Sequence, residues 1–352
     1  MGVWKSLRPI VLLAILPAAI SAAFGQEQAG ALEPYVVVHG WPQLPSDFAL
    51  GQISGVGVDS HNHVFVFNRA ENSSLCLGGE AACPPPAPTW QPGPIASPAI
   101  LSFDGKTGKL LAAWGKDRFV SPHGLGVDRH DNVWVTDVTL QQVFEFSNDG
   151  QLLLTLGKER TAGLDGTHFN APTAIAFAPD GSIYISDGYG NSRVAKFSPG
   201  GKFLLDWGHK GSGPGEFNTP HGIAVDRQGL VYVADRENSR IQVFDPNGKF
   251  LRMWQSDELG KPWDVAVGPD NLLYTVYGGN GIFAKAAGHE ELVKSDLSGK
   301  SSLDGAASAT TTGRSTGDTP LPLAPTAPCM SGTSIKVCAY RSSLRAKRRD
   351  PR

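Results

Sequence analysis

An all-β fold, a ring of four-stranded blades of the β-propeller type, is what this sequence predicts, and two observations carry the prediction. One strand–turn–strand phrase recurs along the chain: SPHGLGVDRHDNVWVTD (121–137), APTAIAFAPDGSIYISD (171–187), TPHGIAVDRQGLVYVAD (219–235) and KPWDVAVGPDNLLYTVY (261–277). Its prolines, Pro122, Pro172, Pro220 and Pro262, set periods of 50, 48 and 42 residues. A unit of that length cannot bury both faces of its own sheet and must stack on copies of itself, whereas a stacked sandwich does not repeat its own sequence. The second observation is the supply of turn residues: 42 glycines and 26 prolines in 352 residues suit many short strands joined by tight turns.

The elements follow in order. Lys5 and Arg8 precede an apolar stretch at 9–20 and small residues near 21–25, the pattern of a cleaved secretory signal over 1–25. That stretch is shorter than the ~20 residues a membrane span needs. The expected propeller covers 35–300, with five recognisable blades starting near residues 51, 119, 169, 217 and 260. The first, GQISGVGVDSHNHVFVFNRAEN (51–72), lacks the proline and closes with ILSFDGKTGKLLAAWG (100–115). Within each copy a strand leads to an Asp-x-x-Gly/Asn turn, an alternating second strand and then a third. Ile241, Val243, Phe244, Phe250 and Leu251 across Pro246-Asn247-Gly248 read as a hairpin with one buried face. After Tyr277 the spacing breaks, and LVKSDL (292–297) is one more strand-like run.

From residue 301 to 352 the chain turns to Ser, Thr, Ala, Gly and Pro and ends in a basic run, which reads as a disordered tail. Synonymous codons for residues 314–343, read in a neighbouring frame, can reproduce the blade grammar with a Trp-Gly-His opening. A frame slip near residue 300 that removed a sixth blade is therefore expected, the alternative being an unrelated natural extension.

Composition excludes some functions. A formal net charge of −2 gives no electrostatic basis for nucleic acid or an anionic membrane. The cysteines form two pairs, Cys76 with Cys83 and Cys329 with Cys338, at spacings unlike a metal knuckle, and a local disulfide between Cys76 and Cys83 fits an exported chain.

The chemistry-bearing residues are His123 and His221, at the same repeat position in alternate blades. Inner strands line a propeller's channel, so two such imidazoles face one axis. Three would leave an open position on a divalent cation such as zinc, and a lone turn histidine would simply be satisfied locally. Phrases 122–144, 186–208 (SDGYGNSRVAKFSPGGKFLLDWG) and 234–244 (ADRENSRIQVF) carry a further likeness. In them the chain resembles the NHL-repeat propellers and, more specifically, the peptidyl-α-hydroxyglycine α-amidating lyases, from about residue 50 to 280, with six blades as the family architecture.

That resemblance implies zinc on His123 and His221, Tyr189 as catalytic tyrosine, Arg69 and Arg236 as functional arginines, and a structural calcium on the backbone carbonyls of Val56 and Leu125. It implies a secreted or periplasmic monomer acting on a small-molecule or peptide substrate, with no nucleic acid partner and no membrane contact beyond the signal. The family's third histidine, followed by Asp in the last blade, has no counterpart here, and Asn170 and Gly190 stand where its cysteines would frame the tyrosine loop. A chain one ligand short can inherit the chemistry and still be inactive.

Residue by residue, other readings stay open. Tyr189 can be a packed turn residue, Arg236 can pair with Asp235 or Glu237, and Arg69 can be a solvated strand end. Asp137, Asp187 and Asp235 end equivalent strands and read as turn-holding residues. A non-catalytic NHL propeller that binds a protein or ligand is the alternative function, since fold alone does not decide it.

Overall fold

The structure is a computed structural model that describes residues 40–46, 48, 50–74, 93–255, 260–278, 290–300 and 307–308. The expected signal at 1–25, the four cysteines and the proposed frame-slipped segment at 314–343 lie outside the described residues.

The described residues fall in one compact unit and form five antiparallel four-stranded sheets, each in simple up-and-down order, arranged as a β-propeller. Blade one holds β1 (Ile53–Val58), β2 (His63–Asn68), β3 (Ile100–Asp104) and β4 (Leu110–Trp114). Blade two holds β5 (Pro122–Val127), β6 (Val133–Asp137), β7 (Gln142–Phe146) and β8 (Leu152–Leu156). Blade three holds β9 (Ala174–Phe177), β10 (Ile183–Asp187), β11 (Arg193–Phe197) and β12 (Phe203–Trp207). Blade four holds β13 (Pro220–Val225), β14 (Val231–Asp235), β15 (Arg240–Phe244) and β16 (Phe250–Gln255). Blade five holds β17 (Pro262–Val267), β18 (Leu273–Gly278), β19 (Glu290–Ser295) and β20 (Ala307–Ser308). Its fourth strand therefore lies past residue 300, where the repeat was expected to end.

The first strands pack on one another in the order β1, β5, β9, β13, β17. Their close approach explains the glycine of each Pro-His-Gly. A Cβ at Gly124 would sit 2.5 Å from the Thr173 carbonyl oxygen, and one at Gly222 would sit 2.6 Å from Asp264 Cα. Backbone against backbone leaves no room for a side chain there.

The turns between first and second strands repeat one device. Asp128 Oδ1 accepts from the backbone N–H groups of His130 and Asn132, and Asp226 Oδ1 from those of Gln228 and Leu230. The second carboxylate oxygen takes the aromatic donor of the next strand, Trp134 Nε1–H or Tyr232 Oη–H. Sequence and turn thus lock together at the same place in blades two and four.

One expectation needs correcting. The hairpin of blade four does not have a single buried face: β15 is buried along its whole length, while β16 alternates and leaves Leu251 exposed. The third strand is covered on both sides by neighbouring blades, and only the rim strand keeps the period of two. On blade one, Trp41, Leu44, Phe48 and Leu50 pack against Val64, Val66, Leu101 and Phe103. Gln43 N–H bonds the Gly108 carbonyl at 2.7 Å and anchors that segment.

Candidate functional site

Antiparallel pairing brings the start of each first strand beside the end of the second. Pro122 faces Asp137 in blade two, and Pro220 faces Asp235 in blade four. Residues that open first strands and residues that follow second strands therefore share one mouth of the channel. His123 and His221 come from the first group, and Arg69, Tyr189 and Arg236 from the second.

Both histidines are buried, with ring centroids 4.8 Å apart. His123 Nδ1 lies 2.7 Å from the Thr173 carbonyl, and His221 Nδ1 lies 2.7 Å from the Trp263 carbonyl. A carbonyl oxygen only accepts, so each Nδ1 carries the proton and each neutral ring presents a lone pair at Nε2. The two Nε2 atoms meet at one oxygen, Tyr189 Oη, at 3.1 and 3.0 Å. A phenol donates one proton and so can satisfy only one of those lone pairs at a time. Burial, then the electrostatic influence of His123, Arg236 and Arg69, holds His221 well below the ordinary histidine pKa. Two neutral imidazoles, each oriented by a backbone carbonyl and aimed at a common point, are a donor set suited to a divalent cation such as zinc. No cluster of three or more His, Cys, Asp or Glu occurs among the described residues, so a third protein ligand would have to come from elsewhere in the chain.

Arg69 is not a solvated strand end. It is buried, with Nε donating to the Pro122 carbonyl at 2.9 Å. Burial lowers its pKa, and the neighbouring Tyr189 and Asp137 pull the other way. Arg236 opens a short 3-10 turn and pairs through Nε with Glu237 Oε1 at 3.0 Å; Asp235 is occupied by Arg240 instead. Its Nη1 reaches Tyr189 Oη at 3.4 Å, and Lys261 closes on the other oxygen of Glu237. Tyr189 is 39% exposed, so it faces the mouth and is no packed cap.

The two residues expected to hold calcium lie apart from this cluster. Val56 is in β1 and Leu125 in β5, neighbouring inner strands that pack side by side. Asn170 and Gly190 are in contact, with the Gly190 N–H bonding the Asn170 carbonyl at 2.9 Å. The positions that frame the tyrosine loop therefore adjoin here without cysteines.

The strand-ending aspartates are structural, as expected. Asp137 accepts four backbone N–H groups, from Val120, Ser121, Thr139 and Leu140. Asp187 and Asp235 each take one backbone N–H, an asparagine amide and a buried arginine, Arg193 or Arg240. Those two arginines were missed, although Asn-Ser-Arg recurs at 191–193 and 238–240. Trp263 was missed as well: it stands where Pro-His-Gly has histidine, its carbonyl orients His221 and its ring carries Arg236.

The NHL repeat matches residues 169–197 and 217–244, which are blades three and four. Rat (Rattus norvegicus) peptidylglycine alpha-amidating monooxygenase is 41% identical over 197 residues, covering 53% of this chain and 20% of that protein. Drosophila melanogaster peptidyl-alpha-hydroxyglycine alpha-amidating lyase 2 is 37% identical over 209 residues, 58% of this chain and 49% of that one. The chain thus carries NHL repeats on its propeller and is similar to amidating lyases over about half its length. Human (Homo sapiens) NHL repeat-containing protein 3 is 34% identical over 214 residues, 56% of this chain and 53% of that protein. The match thus spans about a fifth of the rat protein and about half of the other two.

Proposed function

We propose that this chain is an exported, metal-dependent lyase that splits a peptidyl-α-hydroxyglycine-type hemiaminal into an amide and glyoxylate. The observation that carries the reading is the meeting of two imidazole Nε2 atoms at the hydroxyl of Tyr189. Export rests on the charged and apolar pattern of residues 5–25.

A hemiaminal collapses when its hydroxyl loses a proton, the carbon–nitrogen bond breaks and a carbonyl forms. The departing nitrogen takes up the proton and becomes the amide. Tyr189 Oη, as the phenolate, would remove that proton, and two rings and Arg236 hold it at the mouth. His123 and His221 would hold zinc, whose chemistry when bound is to act as a Lewis acid on the hydroxyl oxygen. Arg69, buried under the site, keeps positive charge where the alkoxide develops. A structural calcium on the carbonyls of Val56 and Leu125 would tie blades one and two together below the site.

The test is zinc content by elemental mass spectrometry together with glyoxylate release from α-hydroxyhippurate. Stoichiometric zinc is expected, lost with all turnover in His221→Ala, while Tyr189→Phe should lower kcat roughly 10²–10⁴-fold with zinc retained. Metal-free protein without turnover overturns the reading. It would favour a non-catalytic propeller, for which the likeness to NHL repeat-containing protein 3 speaks.

A further inference from the structure

Trp263 holds in β17 the register that His123 and His221 hold in β5 and β13, directly after the strand-opening proline. Three contacts converge on it. Its carbonyl accepts the Nδ1 proton of His221 at 2.7 Å. Its ring stands edge-on to the His221 ring, with centroids 5.5 Å apart. The guanidinium carbon of Arg236 lies over the indole at 4.6 Å from the centroid, closer than its 5.3 Å to the Tyr189 ring. The indole is buried, and Gly278 makes room for it: a Cβ at that glycine would fall 2.2 Å from Nε1.

Arg236 is thereby fixed on its flat face and at two of its nitrogens. Nε is taken by Glu237 at 3.0 Å and Nη1 leans on Tyr189 Oη at 3.4 Å, while Nη2 has no protein partner among the described residues. A guanidinium stacked on an aromatic face keeps its in-plane N–H groups for a carboxylate, and the planar fork loses little freedom when it binds one. Glu237 is itself neutralised by Lys261, so the pair does not cancel the attraction of Arg236 for an incoming anion.

We propose that Trp263 is a positioning residue that sets the plane of Arg236, so that the open edge of the guanidinium receives the carboxylate of the substrate's terminal residue beside Tyr189. The site then selects compounds ending in a free carboxylate over their amides and esters. The identity of the substrate rests on the lyase reading, but carboxylate capture can be measured without turnover.

The experiment is calorimetric binding of N-benzoylglycine, which has the carboxylate but no hydroxyl to react, with N-benzoylglycinamide as control. Wild type is expected to bind the acid and not the amide. Trp263→Leu should weaken acid binding about tenfold, and Trp263→Phe, which restores an aromatic face, should recover most of it. In turnover of α-hydroxyhippurate, Trp263→Leu should raise KM about tenfold, a larger factor than any loss of kcat, so that the defect falls mainly on substrate binding. If Trp263→Leu does not fold, Gly278→Ala presses a methyl group on the indole from behind and should produce the same loss. Equal binding of acid and amide, or unchanged affinity in the variant, overturns the proposal. Carboxylate-selective binding without glyoxylate release would remove the lyase reading and leave this clamp standing. Turnover without any binding of the acid would do the reverse.

Discussion

Arg193 opens β11 almost fully buried, and its guanidinium is spent on four acceptors. Nε donates to Asp187 Oδ2 at 3.0 Å, Nη1 to Asp206 Oδ2 at 2.6 Å, and Nη2 to the carbonyls of Asp165 and His168 at 3.1 and 2.7 Å. It therefore staples the 158–170 loop to the 188–192 loop that bears Tyr189. Arg193→Met keeps most of the stem's volume and removes every one of those donors. Asp206 is 38% exposed on its side chain and turns to water, but Asp187 is fully enclosed and keeps only Asn170 N–H and the Asn191 amide. Removing one partner of a buried pair costs about 3–5 kcal/mol, because the other charge is left uncompensated. At about 2–4 °C per kcal/mol for a domain of this size, the melting temperature should drop by roughly 6–20 °C. Urea unfolding and thermal circular dichroism both measure it. Arg227→Ala is the control, an exposed guanidinium with one bond to the Pro269 carbonyl, and should cost about 0.5 kcal/mol or less. If Arg193→Met unfolds within about 1 kcal/mol of wild type, the staple is not a stabilising feature and the structural reading of these aspartates fails with it.

Two further outcomes follow from the inner strands. Gly222→Ala places a methyl group against Asp264 and should destabilise by about 1–3 kcal/mol through overpacking, read as a lower urea midpoint at unchanged slope; a neutral substitution would refute the close approach. His221, held neutral when buried, gives the metal-free protein a pH dependence of definite sign. Below the unfolded value of 6.5 the unfolded chain takes a proton that the folded chain refuses, so this contribution is absent above that pH and destabilises progressively as pH falls. Between pH 7.5 and 5.5 the loss should be on the order of 1 kcal/mol, and His221→Asn should remove it; a slope unchanged in that variant would place its origin elsewhere.

The blades and the paired histidines were legible because a propeller writes its fold as repetition. Each copy must satisfy the same neighbours, so Pro-His-Gly, the turn aspartate and the strand-ending aspartate recur at fixed register, and register alone puts His123 and His221 on one axis. What depends on the stacking of one blade on the next was not legible. Arg69 looks like a strand end in its own blade and is buried only because β5 of the following blade lays the Pro122 carbonyl over it. The two-sided burial of β15 arises in the same way, since alternation within a strand records its own sheet and not the sheets on either side.

Trp263 carries that argument furthest. In the repeat it is a departure from histidine, which suggests a lost ligand and nothing more. Placed next to blade four it has gained two tasks, of which the first depends on its side chain and the second on its main chain. Its broad ring supports a guanidinium that the preceding blade supplies, and its carbonyl fixes the tautomer of the histidine that the preceding blade also supplies. The blade that interrupts the histidine pattern is thus the one that orients it. A substitution there should be felt first in how a carboxylate is held, and only afterwards in the chemistry at Tyr189.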